Sequence, residues 1–446
     1  MSASSSAPSG SDSSVRPLTP PPGPIDIAVR PPGSKSLSNR AAIVASLADG
    51  VSMLSGVLDS EDTRVMRDAL DRLGLTVELD PRAETLRIEG QGGRFPNDGR
   101  ESGSVRLDLR NSGTSIRFLT AACAAAGGDY VLTGNARMQE RPIADLAAAL
   151  RQGGADVAAA ETGCPPVTVR GGGLTGGEVT VRGDLSSQFL SGLLMAAPRA
   201  SGDVTLRVEG ELVSRPYVDM TLAVMRAFEA DVTEPQPNTF LIRSQPYITK
   251  RTTYEIEPDA SAASYWLAAG ALAGRATVQR LDRDSLQGDI RFADVLERMG
   301  ARVEWKPGAV TVSQPEGGRL HGIDIDMGPI SDTAQTAAVA AVFADSPTRI
   351  RGVEHMRHKE TDRVAALVTE LRRLGIEADE HVDGLTIHPG VPVPKQPIAT
   401  YDDHRMAMAF ALTGLMTHGI EIADPGCVGK TYPRFWDDWD KHIEGQ

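Results

Sequence analysis

Apolar and polar positions along this chain form long blocks that recur. SKSLSNRAAIVASLADG, NSGTSIRFLTAACAAAGG, SSQFLSGLLMAAPRASG, DASAASYWLAAGALAG, DTAQTAAVAAVFADSP and DHRMAMAFALTGLMTHG share one plan. Each opens on Ser, Asn or Asp, runs into an Ala/Leu-rich stretch and stops near Gly or Pro, the order of helix N-cap and C-terminal signals. The openings at Ser36, Asn111, Ser186, Asp259, Asp332 and Asp403 are 75, 75, 73, 73 and 71 residues apart. In the first five copies an amphipathic stretch follows and ends on a small residue and a short β-like run, as in DALDRLGLTVEL and DVLERMGARVEW. The last copy departs from the plan after its first helix. This pattern predicts six α/β units grouped three and three, with buried Ala-rich first helices and solvated second helices.

Length points the same way: 446 residues exceed what one core sustains, so two domains are expected. The net charge of −13 argues against a nucleic-acid or anionic-membrane binder, and no apolar run is long enough to span a bilayer. Cys123, Cys164 and Cys427 are odd in number and far apart, which fits neither a disulfide framework nor a metal pair and suits a reducing cytoplasm. Residues 1–23 are Ser/Pro-rich with no apolar h-region and few arginines, so a disordered tail is expected there.

In so acidic a chain, the placement of cations is informative. Lys35 and Arg40 flank the first helix start, Arg117 lies early in the second copy, and Arg405 directly follows His404. Lys359 and Arg363 surround another start, with Thr361 as its expected cap. Positive charge at a helix N-terminus opposes the dipole unless an anion intervenes, and an anion gains from N–H groups, dipole and side chain together. Convergent sites for multiply charged anions, phosphate first, are therefore expected. GSKS at 33–36 is no P-loop, because 28–33 reads AVRPPG and lacks the upstream glycine. His355, His358, Asp402, Asp403 and His404 match no metal-ligand spacing, so no metal site is expected.

PGSKSLSNRA, LRNSGTSIRFL, RMQERPI, DLSSQFLSGLLMAAP, HKETDR, DDHRMAMAF and GKTYPRFW occur in this order from Pro31 to near the C-terminus. Together they closely resemble the 5-enolpyruvylshikimate-3-phosphate synthase family. The resemblance implies an α/β (α+β) fold, a two-domain inside-out α/β barrel with three βαβαββ units per domain. Residues 24–33 plus 254–446 would form one domain and 34–253 the other, closing on substrate in the cleft between them. The implied reaction is transfer of the enolpyruvyl group of phosphoenolpyruvate to the 5-hydroxyl of shikimate 3-phosphate, releasing phosphate, without metal or organic cofactor. That places the chain in the shikimate pathway of aromatic amino-acid biosynthesis, as a cytoplasmic monomer acting on small molecules.

Site residues carry over by matching position. The resemblance implies that Lys35 reaches both substrates, and that Ser36, Arg40, Ser186, Ser187, Ser214 and Lys359 bind shikimate 3-phosphate. Gln188 would lie between the ligands. Gly113, Arg141, Arg363, Arg405 and Lys430 would hold phosphoenolpyruvate. Asp332, which also contacts the shikimate side and would cap its helix, is expected to be the base at the 5-hydroxyl, with Lys35 and Glu360 in proton transfer and His404 assisting. Three departures stand out: Phe118 where Pro or Leu is usual, expected to alter the phosphoenolpyruvate pocket; His355 where Asn is common; and Pro258 where Gly is common, expected to stiffen the second crossover. Two other readings remain, a UDP-N-acetylglucosamine enolpyruvyltransferase, which would need a reactive cysteine, and a non-catalytic anion-binding paralogue.

Overall fold

The structure, a computed structural model, describes residues 14–101, 103–184, 186–249 and 253–445. Its helices come in pairs: α1 (Lys35–Leu47) and α2 (Glu61–Arg72), α3 (Gly113–Ala126) and α4 (Ala144–Gln152), α5 (Ser187–Ala196) and α6 (Arg215–Ala227). Then follow α7 (Ala260–Ala273) and α8 (Phe292–Arg298), α9 (Ala334–Ala341) and α10 (Arg363–Arg373), α11 (His404–Ala411) and α12 (Phe435–Trp439). The first member of a pair is buried on nearly every side; in α7 all residues are. The second is amphipathic, and α2 buries only Asp62, Val65, Met66, Ala69 and Leu70. Small, helix-favouring Ala lets the first helices pack closely at the centre, as an apolar surface all round requires.

Helix starts shift where a competing polar group is better placed. Ser34 rather than Ser36 caps α1, its Oγ accepting from Leu37 N at 3.3 Å. Ser112 rather than Asn111 holds the cap position of α3. Asp362 rather than Thr361 caps α10, accepting from Ala365 N at 3.0 Å. Asp332 is not a cap, because a 3-10 turn, Gly328–Thr333, precedes α9 and the carboxylate turns to arginines instead. Ser186, Asp259 and Asp403 do cap α5, α7 and α11.

The accompanying sheets repeat one order. Val105–Asp108 lies parallel to Tyr130–Thr133, then Val167–Arg170 and Asp156–Ala159 follow antiparallel. The third and fifth units do the same. The first and fourth exchange their leading strands: Ile25–Val29, before α1, pairs with Gly274–Gln279, while Thr253–Glu255, before α7, pairs with Ala48–Ser55. The two chain crossings lie side by side, Ser34 N donating to Glu257 O at 2.8 Å and Asp259 N to Pro32 O at 2.7 Å. Gly33 and Pro258 bridge there, and a Cβ on Gly33 would collide with the carbonyl oxygen of Gly56. Only glycine permits that approach.

The sixth unit is cut short. Its strand Glu421–Ala423 pairs with Val15–Pro17, and Leu18, buried, donates its N–H to Ile420 O at 2.9 Å. The expected disordered tail is thus ordered from Ser14 on, because an open strand edge offers backbone partners to a Ser/Pro-rich segment regardless of its side chains. Residues 1–13 lie outside the described residues.

Buried apolar side chains separate into two clusters, one built on α1–α6 and one on α7–α12 with residues 18–29. The lobes around them pack their buried helices against open four- and five-stranded sheets, so the fold class is α/β. No helix among the described residues is long and apolar enough to cross a membrane.

Candidate active site

Two adjoining pockets between the lobes hold most of the sequence-derived residues. The larger, about 770 Å³ including its open mouth, is lined by the starts of α1, α3 and α5 with Tyr217, Asp332, His355 and Lys359. The smaller, about 300 Å³, has Gly113, Arg141, Glu360, Arg363 and Arg405 around it. Lys35, Thr114, Gln188, Asp332 and Lys359 belong to both. The starts of α1, α3, α5, α10 and α11 all contribute residues here, and the positive end of a helix dipole favours a bound anion.

One set of cations touches no carboxylate. Arg40 bonds Thr221 Oγ1 at 2.7 Å, Ser36 O at 3.0 Å, Tyr217 O at 3.2 Å and Ser191 Oγ at 3.3 Å. Arg117 bonds Gln188 Oε1 at 2.6 Å and Pro142 O at 3.3 Å, and Arg141 bonds the main-chain and side-chain oxygens of Asn111 at 3.3 and 3.2 Å. Burial pulls Arg40 down to about 10 and Arg117, further repelled by Arg141, to about 9. Desolvated guanidiniums held by neutral atoms are poised for a bound anion, which would supply the missing charge partner.

A second set cages the carboxylates. Arg363 donates Nε to Asp403 Oδ2 at 2.7 Å, Nη2 to Glu360 Oε2 at 2.9 Å and Nη1 to Asp332 Oδ1 at 3.3 Å. Arg405 Nη2 reaches Asp332 Oδ2 at 2.8 Å, and Lys359 Nζ lies 3.7 Å from Asp332 Oδ1. Burial alone would raise the Asp332 carboxyl, but Arg405, Lys359, Arg363 and Lys35 outweigh it and hold it well below the usual range. Glu360 is likewise held low, against burial, by Arg363, Lys430 and Arg141. Both are ionised at neutral pH.

The structure brings the sequence-derived residues together with few exceptions. Lys35, Ser36, Arg40, Ser186, Ser187, Gln188, Ser214, Asp332 and Lys359 line the larger pocket, and Gly113, Arg141, Glu360, Arg363 and Arg405 the smaller. Ser214 has left-handed backbone (φ 57°) and donates its hydroxyl across the cleft to Gly328 O at 3.1 Å. Lys430 sits behind the smaller pocket, bonding Asn111 O at 2.9 Å with Glu360 Oε1 3.8 Å away. His404 lines neither pocket; it is fully buried and burial with Arg405 keeps it uncharged, well below the normal imidazole range. His355 does line the larger pocket, but burial and Lys359 push it down to about 3, so it contacts Ser331 Oγ at 2.9 Å as a neutral ring. Phe118 is absent from the smaller pocket: it is fully buried with the Arg40 guanidinium 5.2 Å above its ring, beneath the larger one.

Sequence reasoning gave no site role to Tyr217, Thr114, Asp62 or Arg117. Arg117 shows in the sequence only as a cation at a helix start. Asp62, between Lys35 Nζ at 3.5 Å and Lys430 Nζ at 3.7 Å, resembles any acid in a first helical turn. Tyr217 stands in the same SRPY stretch as Ser214, the only signal it carried. No group of three or more His, Cys, Asp or Glu among the described residues is arranged to hold a metal. Burial raises the thiol of Cys427 to about 12 and that of Cys123 further, so neither is a ready thiolate.

Fold and site together define a two-lobed α/β protein with a polyanion cleft between its lobes. Comparison with known proteins is more specific. Residues 20–439 match the family EPSP synthase (3-phosphoshikimate 1-carboxyvinyltransferase). A 3-phosphoshikimate 1-carboxyvinyltransferase of Tolumonas auensis is 46% identical over 91% of this chain and 94% of its own, and one of Aeromonas salmonicida is 45% identical over the same shares. Among solved structures, an EPSP synthase from Acinetobacter baumannii superposes with a TM-score of 0.78 at 25% identity, covering 96% of this chain and 98% of that one. The enolpyruvyl transferase NikO from Streptomyces tendae shares the fold, with a TM-score of 0.75 at 20% identity over 96% and 97%. The chain belongs to the EPSP synthase family.

Proposed function

We propose that this chain transfers the enolpyruvyl group of phosphoenolpyruvate to the 5-hydroxyl of shikimate 3-phosphate, with the larger pocket taking the shikimate and the smaller one phosphoenolpyruvate. The observation that carries the assignment is the pair of joined pockets with Asp332 and Lys35 at their junction. Arg40, Ser186, Ser187 and Ser214 hold the shikimate phosphate and hydroxyls; Arg141, Arg363, Arg405 and Lys430 hold the carboxylate and phosphate of the donor. Ordering both reactants in one cleft removes most of the entropy of encounter.

The proton on the 5-hydroxyl passes to Asp332 as its oxygen attacks C2 of phosphoenolpyruvate. The methylene carbon takes a proton from the Lys35–Glu360 side, giving a tetrahedral species with a methyl group, the carboxylate and the phosphate on C2. Loss of phosphate and of one methyl proton then restores the double bond. Asp332 and Glu360 are weak bases in the empty site, because the surrounding cations stabilise their charge. Two bound polyanions share those cations, raising both carboxyls toward a useful range as the reactants arrive.

Closure of two domains divided near residues 33 and 254, and action as a cytoplasmic monomer, belong to the same proposal; a single chain builds both pockets. The test is phosphate release by the purified protein with each substrate omitted in turn. Release only with both supports the assignment; tight binding of both without release moves the chain to a non-catalytic role.

A further inference from the structure

Tyr217 stands on α6 in one lobe and Asp289 on the 3-10 turn Gly288–Arg291 in the other. The Tyr217 hydroxyl donates to Asp289, 2.9 Å from Oδ1 and 3.0 Å from Oδ2, and Ser261 Oγ donates to Oδ2 as well. Asp289 is buried, and the proposed chemistry gives it no task. Its hydrogen-bond partners are hydroxyls, and burial with the nearby charge of Asp332 pushes its carboxyl up to about 6 despite Arg405. The backbones close at the same point, where a Cβ on Gly288 would collide with Pro216, the residue before Tyr217.

Tyr217 has two further contacts that matter. It lines the larger pocket. Its carbonyl accepts from Arg40 Nη2 at 3.2 Å and from Thr221 Oγ1 at 2.9 Å, and Thr221 in turn accepts from Arg40 Nε at 2.7 Å. One residue therefore touches the pocket, holds one of the cations that lack a carboxylate partner, and is itself held from the opposite lobe.

We propose that Asp289 is a positioning residue that latches the lobes through the Tyr217 hydroxyl, so that Arg40 is seated for shikimate 3-phosphate only when the lobes meet. The proposal rests on the substrate reading above. A carboxylate buried among hydroxyls is costly to keep, and an apolar residue of similar size would serve packing better. What it supplies instead is an acceptor that the Tyr217 hydroxyl of the other lobe can reach, beside the Ser261 hydroxyl of its own.

The test is calorimetric titration of the full-length protein with shikimate 3-phosphate in the absence of phosphoenolpyruvate. Asp289→Leu should weaken binding about tenfold, the size of one buried hydroxyl left without its acceptor. Asp289→Asn, which keeps an acceptor oxygen, should stay within about threefold of wild type. In a Tyr217→Phe background Asp289→Leu should add nothing. Wild-type affinity in Asp289→Leu, or penalties that add in the double variant, would overturn the latch. Small-angle scattering reads the latch apart from affinity: at saturating shikimate 3-phosphate the wild type should compact, and Asp289→Leu, or Tyr217→Phe should the first not fold, must compact less. Equal compaction in wild type and variants overturns the latch and leaves the substrate reading standing; a wild type that neither binds shikimate 3-phosphate nor compacts overturns the substrate reading and the latch that rests on it.

Discussion

Arg363 and Asp403 are joined by two hydrogen bonds, at 2.7 and 3.2 Å, with both side chains shut off from solvent. Asp403 also caps α11 by accepting from Arg405 N at 2.9 Å, so one carboxylate aims two cations of the smaller pocket. Lysine keeps the charge but cannot make the paired contact. Arg363→Lys should raise the KM for phosphoenolpyruvate at least tenfold and lower the melting temperature, with loss of one charge-assisted hydrogen bond costing about 1.5–3 kcal/mol. Steady-state kinetics and thermal unfolding check both.

Asp332→Asn preserves shape at the pocket junction while removing the proposed base. The turnover number should fall by about 10²–10⁴, the usual worth of a positioned general base. Shikimate 3-phosphate should still bind in calorimetry, separating loss of chemistry from loss of the site.

At Gly113 a Cβ would collide with the Arg141 guanidinium. Gly113→Ala should therefore raise the KM for phosphoenolpyruvate and leave shikimate 3-phosphate affinity and thermal stability near wild type. Equal losses toward both substrates would count against the division of the cleft.

Phe118 supports Arg40 from below, 5.2 Å from ring centre to guanidinium. Phe118→Leu should weaken shikimate 3-phosphate binding about two- to fivefold, the worth of a modest cation–π contact, while the KM for phosphoenolpyruvate changes less. Phe118→Tyr should restore affinity if the ring is what matters.

Two imidazoles, His355 and His404, are held neutral in the folded protein, below the normal value of 6.5. The unfolded chain takes up protons at these positions once pH falls below 6.5, and the folded chain does not. Stability is thus full above that pH and declines below it, by up to about 1.4 kcal/mol per pH unit for each ring. Thermal unfolding at pH 7 and pH 5 should show a smaller loss in His355→Asn than in wild type.

The six-unit repeat was readable because helix caps and Ala-rich interiors obey local rules, and those rules left α5, α7 and α11 capped as expected. The cap misplacements at Ser34, Ser112 and Asp362 arose where several polar residues sit in a row and only packing chooses among them. Cations around helix starts revealed an anion site, yet the chain could not show that Arg40 is unpaired while Arg363 is surrounded by acids. That division depends on residues far apart in sequence, such as Asp403 and Asp332. Tyr217 and Asp62 escaped notice for the same reason. The strand at Val15–Pro17 was misread because its composition is that of a disordered segment and its partner lies some 400 residues away.

The exchange of leading strands also sets a timetable for synthesis on the ribosome. Strand Ile25–Val29 leaves the exit tunnel early, but its partner Gly274–Gln279 is made roughly 250 residues later, a wait of about 12–50 s at 5–20 residues per second. The first lobe can finish once Thr253–Glu255 emerges, while this short alternating segment stays unclaimed beside it. A nascent chain paused before residue 274 would carry one complete lobe and one solitary strand, a species for holding chaperones to shield.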